Sequence, residues 1–214
     1  MERTMKFLKK EELRRTLTRY DLTIRGTPSY VANGVVVHNC NARYVYHDGE
    51  YFCGSHKMWK FMDLSNTWWK ILYHNENLQR FLRDNPDVVV FGEIYGQVQK
   101  GFNYGCAPGE VKFAAFDMFI GNSVQYVTQE WMDQAKMLDT CDRYDIPTAP
   151  MIASWHYDPQ HIDVLLGLAE GKTAIPGADH IREGIVVGGK VTRYDSRTRF
   201  NKLKIVSNAY LCLK

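Results

Sequence analysis

Two short stretches of the sequence place chemically competent residues side by side. The first is His38-Asn39-Cys40. A thiolate at Cys40 is a good nucleophile near neutral pH. The side-chain amide nitrogen of Asn39 can attack its own carbonyl carbon and cut the bond to Cys40, and His38 can polarise that carbonyl or donate a proton. The second is Lys202-Leu203-Lys204. Lysines two positions apart on a strand share a face, where they can neutralise a phosphate and stabilise a departing one. Around them, residues 190–214 hold seven Lys/Arg (Lys190, Arg193, Arg197, Arg199, Lys202, Lys204, Lys214) against Asp195 alone. Such a surface suits polyphosphate or a nucleic-acid backbone. Taken singly, the first tripeptide also fits an ordinary strand end, and the second the wet face of an edge strand.

The residues ahead of the junction give it a context. The segment RYDLTIRGTPSYVANGVVVHNC resembles the C-terminal end of an intein, through its YDL strand, a turn followed by YVANGVVV, and the terminal His-Asn before Cys. The resemblance implies that Cys40 is the first extein residue and nucleophile. It makes Asn39 the cyclising residue, His38 its assistant and Asp21 the acid that promotes the upstream steps. Many inteins carry a His near the second strand of this block, where this chain has Pro28, so one proton carrier is missing. A splicing domain also needs its own first residue and surrounding strands, which residues 1–39 do not contain. Residues 1–39 thus look like the C-terminal half of a split intein that meets its other half on another chain. A truncated fragment of a contiguous intein is the alternative. No cofactor is implied for splicing.

Beyond Cys40, several motifs stand in the order used by covalent nucleotidyltransferases, and together they resemble the ATP-dependent RNA ligases of the phage type. That family opens with Lys-x-(Asp/His)-Gly-x-Asn. Asn41-Ala42-Arg43 matches the end of this element, and the lysine position falls on Val36, so the adduct-forming lysine is absent from this chain. Gly54-Ser55-His56-Lys57 fits the second element, with Lys57 or His56 in a role usually held by Arg. FGEIYG at 91–96 fits the third, placing Glu93 near the ribose. Phe116-Asp117 fits the next, with Phe116 stacking on adenine. EGIVV at 183–187 fits the fourth, making Glu183 a ligand of Mg²⁺ or its waters, and Lys202-Leu203-Lys204 fits the last. The resemblance therefore assigns ATP contacts to Asn41, Arg43, Ser55, Lys57, Glu93, Phe116, Glu183, Lys202 and Lys204, with ATP and Mg²⁺ as cofactors. DNA ligases and capping enzymes share this motif order.

These side chains need strands to hold them, and the hydrophobic pattern supplies them. ARYVY and EYFCG flank Asp48-Gly49, a two-residue hairpin signal. DVVVFGEIYG and EVKFAAFDMFI are nearly continuous apolar runs, as in buried strands. EGIVV and KVTRY flank Gly188-Gly189, which predicts a second hairpin, and RFNKLKIV a final strand. Ahead of residue 40, Tyr20–Ile24 and Tyr30–His38 read as short strands. Helices are expected from a Thr128 cap to about Arg143 with Trp131, Ala135 and Leu138 on one face, from Asp158-Pro159 to near Gly171, and over Asn77 to Arg83. The fold class is α+β, a short β intein fragment (1–39) followed by a nucleotidyltransferase core (40–214) of antiparallel sheets with flanking helices.

Composition agrees and excludes rival classes. The chain has 214 residues, 45% hydrophobic and 24% charged, enough for a packed core. No apolar run approaches the roughly 20 residues of a membrane span, and the N-terminus lacks a secretory signal. Five cysteines in no CxxC spacing argue against a disulfide framework or zinc ribbon and for a reduced, cytoplasmic setting. Residues 1–20 carry seven Lys/Arg against three Glu, which leaves 20 against 21 in the rest. A basic head of this kind suits steering towards an acidic partner half. The expected partners are that N-terminal intein/ligase half and RNA, with no membrane. The expected function is trans-splicing to an RNA ligase that seals 5′-phosphate to 3′-hydroxyl ends, the isolated chain being inactive as a ligase. The alternative is a fragment that only binds nucleotide or RNA.

Overall fold

NARYVYH alternates in the strand period and forms β1 (Asn41–His47), with Ala42 and Tyr44 turned to the core. Asp48 and Gly49 take φ of 47° and 85°, the paired positive values of a type I′ turn. They return the chain as β2 (Glu50–Gly54), Tyr46 opposite Tyr51. The computed structural model describes residues 41–55, 58–96, 101–121, 130–154, 162–189, 194–195, 199–200 and 202–213. Asp21, His38, Asn39, Cys40 and Lys57, along with the strands expected ahead of residue 40, lie outside the described residues.

Two short helices follow, α1 (Thr67–His74) and α2 (Glu76–Asp84). Asn66 caps α1 by accepting from Trp68 N; Asn75 ends α1 and caps α2 by accepting from Leu78 N, which satisfies N–H groups that a helix start leaves bare. Then come β3 (Val88–Gly96), β4 (Val111–Ile120) and the two-residue β5 (Glu130–Trp131). These strands form an antiparallel five-stranded sheet in the order β2-β1-β3-β4-β5. α3 (Gln134–Arg143) packs Met137 and Cys141 against it. Its start corrects the sequence reading. The helix begins after Asp133, with Trp131 already spent on β5, and the residues it buries are Met137, Thr140 and Cys141.

The second unit holds α4 (Ile162–Ala169), β6 (Gly184–Gly188), β7 (Tyr194–Asp195), β8 (Arg199–Phe200), β9 (Lys202–Val206) and α5 (Asn208–Leu211). Most of the second strand of the hairpin expected at Gly188-Gly189, residues 190–193, lies outside the described residues. β6 lies against β9, Gly184 opposite Val206 and Gly188 opposite Lys202, while β7 pairs with β8. Gly188 ends β6, and Ile185, Val187 and Ile205 close a small core with Leu165 and Ala169 of α4.

The main sheet is two-sided. Ala42, Tyr44, Val90, Ile94, Phe113, Ala115 and Met118 face the core shared with α1, α2 and α3. The pairing of β3 with β4 slips between Phe91 and Gly92: Phe91 lies opposite Asp117 and Gly92 opposite Ala115, so Phe116 is the extra residue of a bulge. The slip lets Ala115 and Met118 both reach the helical core, while Phe116 joins Phe91 and Ala149 on the opposite side. That opposite side is where the polar side chains gather.

Candidate active site

Asn41 and Glu93 are direct cross-strand partners, and Asn41 Nδ2 donates to Glu93 Oε2 at 2.9 Å. Glu93 is 2% exposed, so its carboxyl group is withdrawn from water and relies on partners the strands hold in place, Asn41 among them. Two residues along β1, on the same face, Arg43 pairs with Phe91 across the strands and lays its guanidinium over the Trp59 ring at 3.9 Å. Burial lowers the Arg43 pKa, and Arg43 Nε has no hydrogen-bond partner among the described residues.

From the other unit, Glu183 stands one residue ahead of β6 and is also 2% exposed. Tyr104, in the turn after β3, donates its hydroxyl to Glu183 Oε1 at 2.7 Å. The backbone sets Glu183 tightly as well. Gly184 has φ of 149°, and a Cβ there would stand 2.1 Å from Ile205 O, so only glycine permits the β6–β9 approach beside the acid. Ser207 N closes the other end by donating to Glu183 O at 2.9 Å.

Lys202 joins the two units. Its ammonium donates to both carboxylate oxygens of Asp117 on β4. Both side chains are nearly enclosed, 4% and 11% exposed. Lys204 shares the face of Lys202 on β9 and is exposed. Phe116 is buried against Phe91 and Ala149. Ser55 closes a turn with Met58, its Oγ accepting from Met58 N at 3.4 Å.

Of the side chains expected from the sequence, Asn41, Arg43, Glu93 and Phe116 lie on the polar side of the main sheet, and Glu183 and Lys202 reach it from the second unit. Ser55 stands at its edge. Asp117 and Tyr104 had been given no role. The signal for Asp117 was present, a lone acid inside the apolar run FAAFDMFI. Tyr104 carried none, because its value lies in a φ of 52° that no sequence pattern announces. Cys53 and Cys141 are buried, their thiols pushed up to about 12 by burial, which makes them inert as nucleophiles. Cys212 is exposed.

The RNA ligase family model matches residues 36–204. The chain belongs to the RNA ligase family. Among solved structures it is similar to Naegleria gruberi RNA ligase. A ligand-free variant of that enzyme matches at 17% identity and TM-score 0.65, over 85% of this chain and 50% of that one. A variant holding ATP and Mn matches at 18% and 0.65, and one holding AMP and Mn at 17% and 0.65, each over 85% and 50%. The chain thus spans about half the length of those chains and shares their fold. No curated protein matches. Among the described residues, no helix is long and apolar enough to cross a membrane.

The carboxylates gathered here offer oxygen atoms, the ligand type that a hard cation prefers. Glu93 and Glu183 lie close enough for both to act on the Tyr104 hydroxyl, whose pKa is raised by burial first and then by Glu183, with Glu93 a smaller contributor. Among the described residues there is no cluster of three or more His, Cys, Asp or Glu able to hold a metal. A cation here would need phosphate oxygens to complete its shell, as Mg²⁺ and Mn²⁺ commonly do.

Proposed function

We propose that this chain is the downstream part of an ATP-dependent RNA ligase, produced as a trans-splicing precursor. The observation that carries the ligase half is the convergence of Asn41, Glu93, Glu183, Asp117 and Lys202 around one face, within a chain whose family match runs almost to its C-terminus. The splicing half rests on the sequence from Tyr20 to Cys40. After association with an N-terminal half, the upstream acyl group passes to the Cys40 thiol, Asn39 cyclises and releases residues 1–39, and an S-to-N shift leaves an amide. The joined enzyme regains a lysine at the position held here by Val36.

In that enzyme the lysine amine attacks the α-phosphorus of ATP, forming a P–N bond as the bond to pyrophosphate breaks. Lys202 and Lys204 face the α-phosphate and offset the charge that grows on it. Glu93 contacts the ribose, and Phe116 forms the wall on which adenine stacks. Glu183 would hold Mg²⁺, which supplies charge neutralisation at the phosphates when bound. AMP then passes to a 5′-phosphate end of RNA, and a 3′-hydroxyl displaces it.

Mixing the chain with an intein N-terminal half that carries a Lys-x-His-Gly tail tests both halves. Mass spectrometry should show release of residues 1–39 and a joined product that takes up AMP from ATP, and Asn39→Ala should block the release. A second reading is favoured by the start of the family match at residue 36, which runs through His38 to Asn41 as though they were a ligase motif with Val36 in the lysine slot. On that reading the chain is uncleaved, binds nucleotide and forms no adduct. An unchanged mass beside a competent partner, with ATP binding intact, would favour it over splicing.

A further inference from the structure

The turn Phe102-Asn103-Tyr104-Gly105 does more than connect β3 to β4. Tyr104 is 3% exposed and holds φ at 52°, a conformation that is strained for a bulky side chain and that persists where surrounding contacts enforce it. Those contacts are on hand. The Tyr104 ring stands edge-on to His180 with centroids 4.5 Å apart and is flanked by Tyr95 at 6.0 Å and Phe102 at 6.2 Å. His180 is itself set by Nδ1, which lies 2.8 Å from Ile181 O. The strain and the cage together aim one hydroxyl at one atom, Glu183 Oε1, at 2.7 Å.

We propose that Tyr104 is a positioning residue that fixes the Glu183 carboxylate for a divalent cation bound with the triphosphate of ATP. With Oε1 occupied by the phenol, the carboxylate cannot rotate freely, and its second oxygen is presented in one direction. A buried carboxylate that binds a metal weakly on its own gains affinity when a neighbour holds its orientation. Glu183 alone touches the cation; Tyr104 acts only through it. The inference rests on the nucleotide-binding part of the function proposed above and is independent of splicing.

The test is equilibrium binding of ATP to the full chain across a MgCl₂ titration, with a parallel series in EDTA. In Tyr104→Phe the half-effective Mg²⁺ concentration should rise about tenfold, while ATP affinity in EDTA stays within about twofold of wild type. In a Glu183→Gln background the same substitution should add nothing, because the residue it acts through has lost its charge. Placing p-aminophenylalanine at position 104 keeps a weaker donor at the same reach and should give an intermediate Mg²⁺ requirement. That variant carries the test by itself if Tyr104→Phe fails to fold. Three results overturn the proposal: an unchanged Mg²⁺ requirement, an equal loss of ATP affinity in EDTA, or additive effects with Glu183→Gln. Absence of ATP binding by the wild-type chain at every Mg²⁺ concentration would instead overturn the nucleotide reading, and this inference with it.

Discussion

Lys202 of β9 and Asp117 of β4, 85 residues apart in sequence, form an ion pair that ties the small β6–β9 unit to the five-stranded sheet. Neither group has water to fall back on. Burial pushes the Asp117 carboxyl up and the Lys202 ammonium pulls it back, so each charge depends on the other. The pair also sets the resting position of a lysine that the proposed chemistry assigns to phosphate. Incoming phosphate oxygens must draw Lys202 partly away from Asp117, or share it.

Lys202→Met should therefore damage folding as well as binding. Removing one member of a buried pair strands the other and costs about 3–5 kcal/mol. Replacing both, as Asp117→Leu with Lys202→Met, should recover most of that stability, because the stranded charge is gone. Urea unfolding at neutral pH compares wild type with the two variants. ATP binding should stay weak in both that lack Lys202, which separates the lysine's two tasks.

Asn41 and Glu93 invite a charge test. Asn41→Asp places a second carboxylate within hydrogen-bond reach of a buried one. The two cannot both ionise cheaply, so the shared site takes up a proton and its folded pKa rises above the unfolded value near 4. The sign follows: the penalty is absent at low pH, grows as pH rises through the unfolded pKa, and levels off above the raised folded value. The variant should match wild type in melting temperature at about pH 2.5, well below the unfolded pKa, and fall behind it at pH 7 by an amount equivalent to about 2 kcal/mol or more.

Much of this arrangement was legible in the sequence, and the exceptions have physical causes. The hairpin at Asp48-Gly49 and the buried β3 and β4 follow from turn chemistry and apolar runs, which are local. Helix α1 was missed because Trp68 and Trp69 stand side by side and blur the helical stripe; one donates Nε1 to Asn41 O at 3.0 Å and the other is buried in the core. The β6–β9 pairing was not legible because its nearest partners, Gly188 and Lys202, stand 14 positions apart, too far for a local turn signal to announce it. At the site, the motif residues were recoverable one by one. Their mutual contacts, Tyr104 with Glu183 and Lys202 with Asp117, were not, since both depend on how one sheet is laid against another.

Gly184→Ala tests how closely the backbone is drawn in beside Glu183. The new Cβ would meet Ile205 O at 2.1 Å, and φ of 149° is unfavourable for any side chain. The β6–β9 ladder must open locally, with a cost of about 3 kcal/mol. Hydrogen exchange should show lost protection at Ile205 and Val206, with β1 and β3 protected as before. Protection that stays uniform would mean that the ladder tolerates a methyl group.

Glu170 offers a pH-dependent test at the far end of the same ladder. Its carboxylate accepts from Ser207 Oγ at 2.7 Å and from Asn208 N at 2.6 Å, with Ala209 N further off at 3.4 Å, so it caps α5 from outside the helix. Partial burial pushes its pKa up, but these hydrogen bonds together outweigh burial and hold it below the usual glutamate range. A carboxylate with a lowered folded pKa contributes stability that is complete above the unfolded value of about 4.3 and is lost as pH falls through the folded one. Glu170→Gln should thus cost about 1 kcal/mol at pH 7, the ordinary worth of a helix cap, and nothing measurable once wild-type Glu170 is itself protonated at low pH. Because Ser207 N also donates to Glu183 O, the loss at pH 7 should reach the site, loosening Glu183 and weakening Mg²⁺-dependent ATP binding more than binding in EDTA. Parallel melting curves and ATP titrations of the two proteins at pH 7, with melting repeated at low pH, check both halves of this expectation.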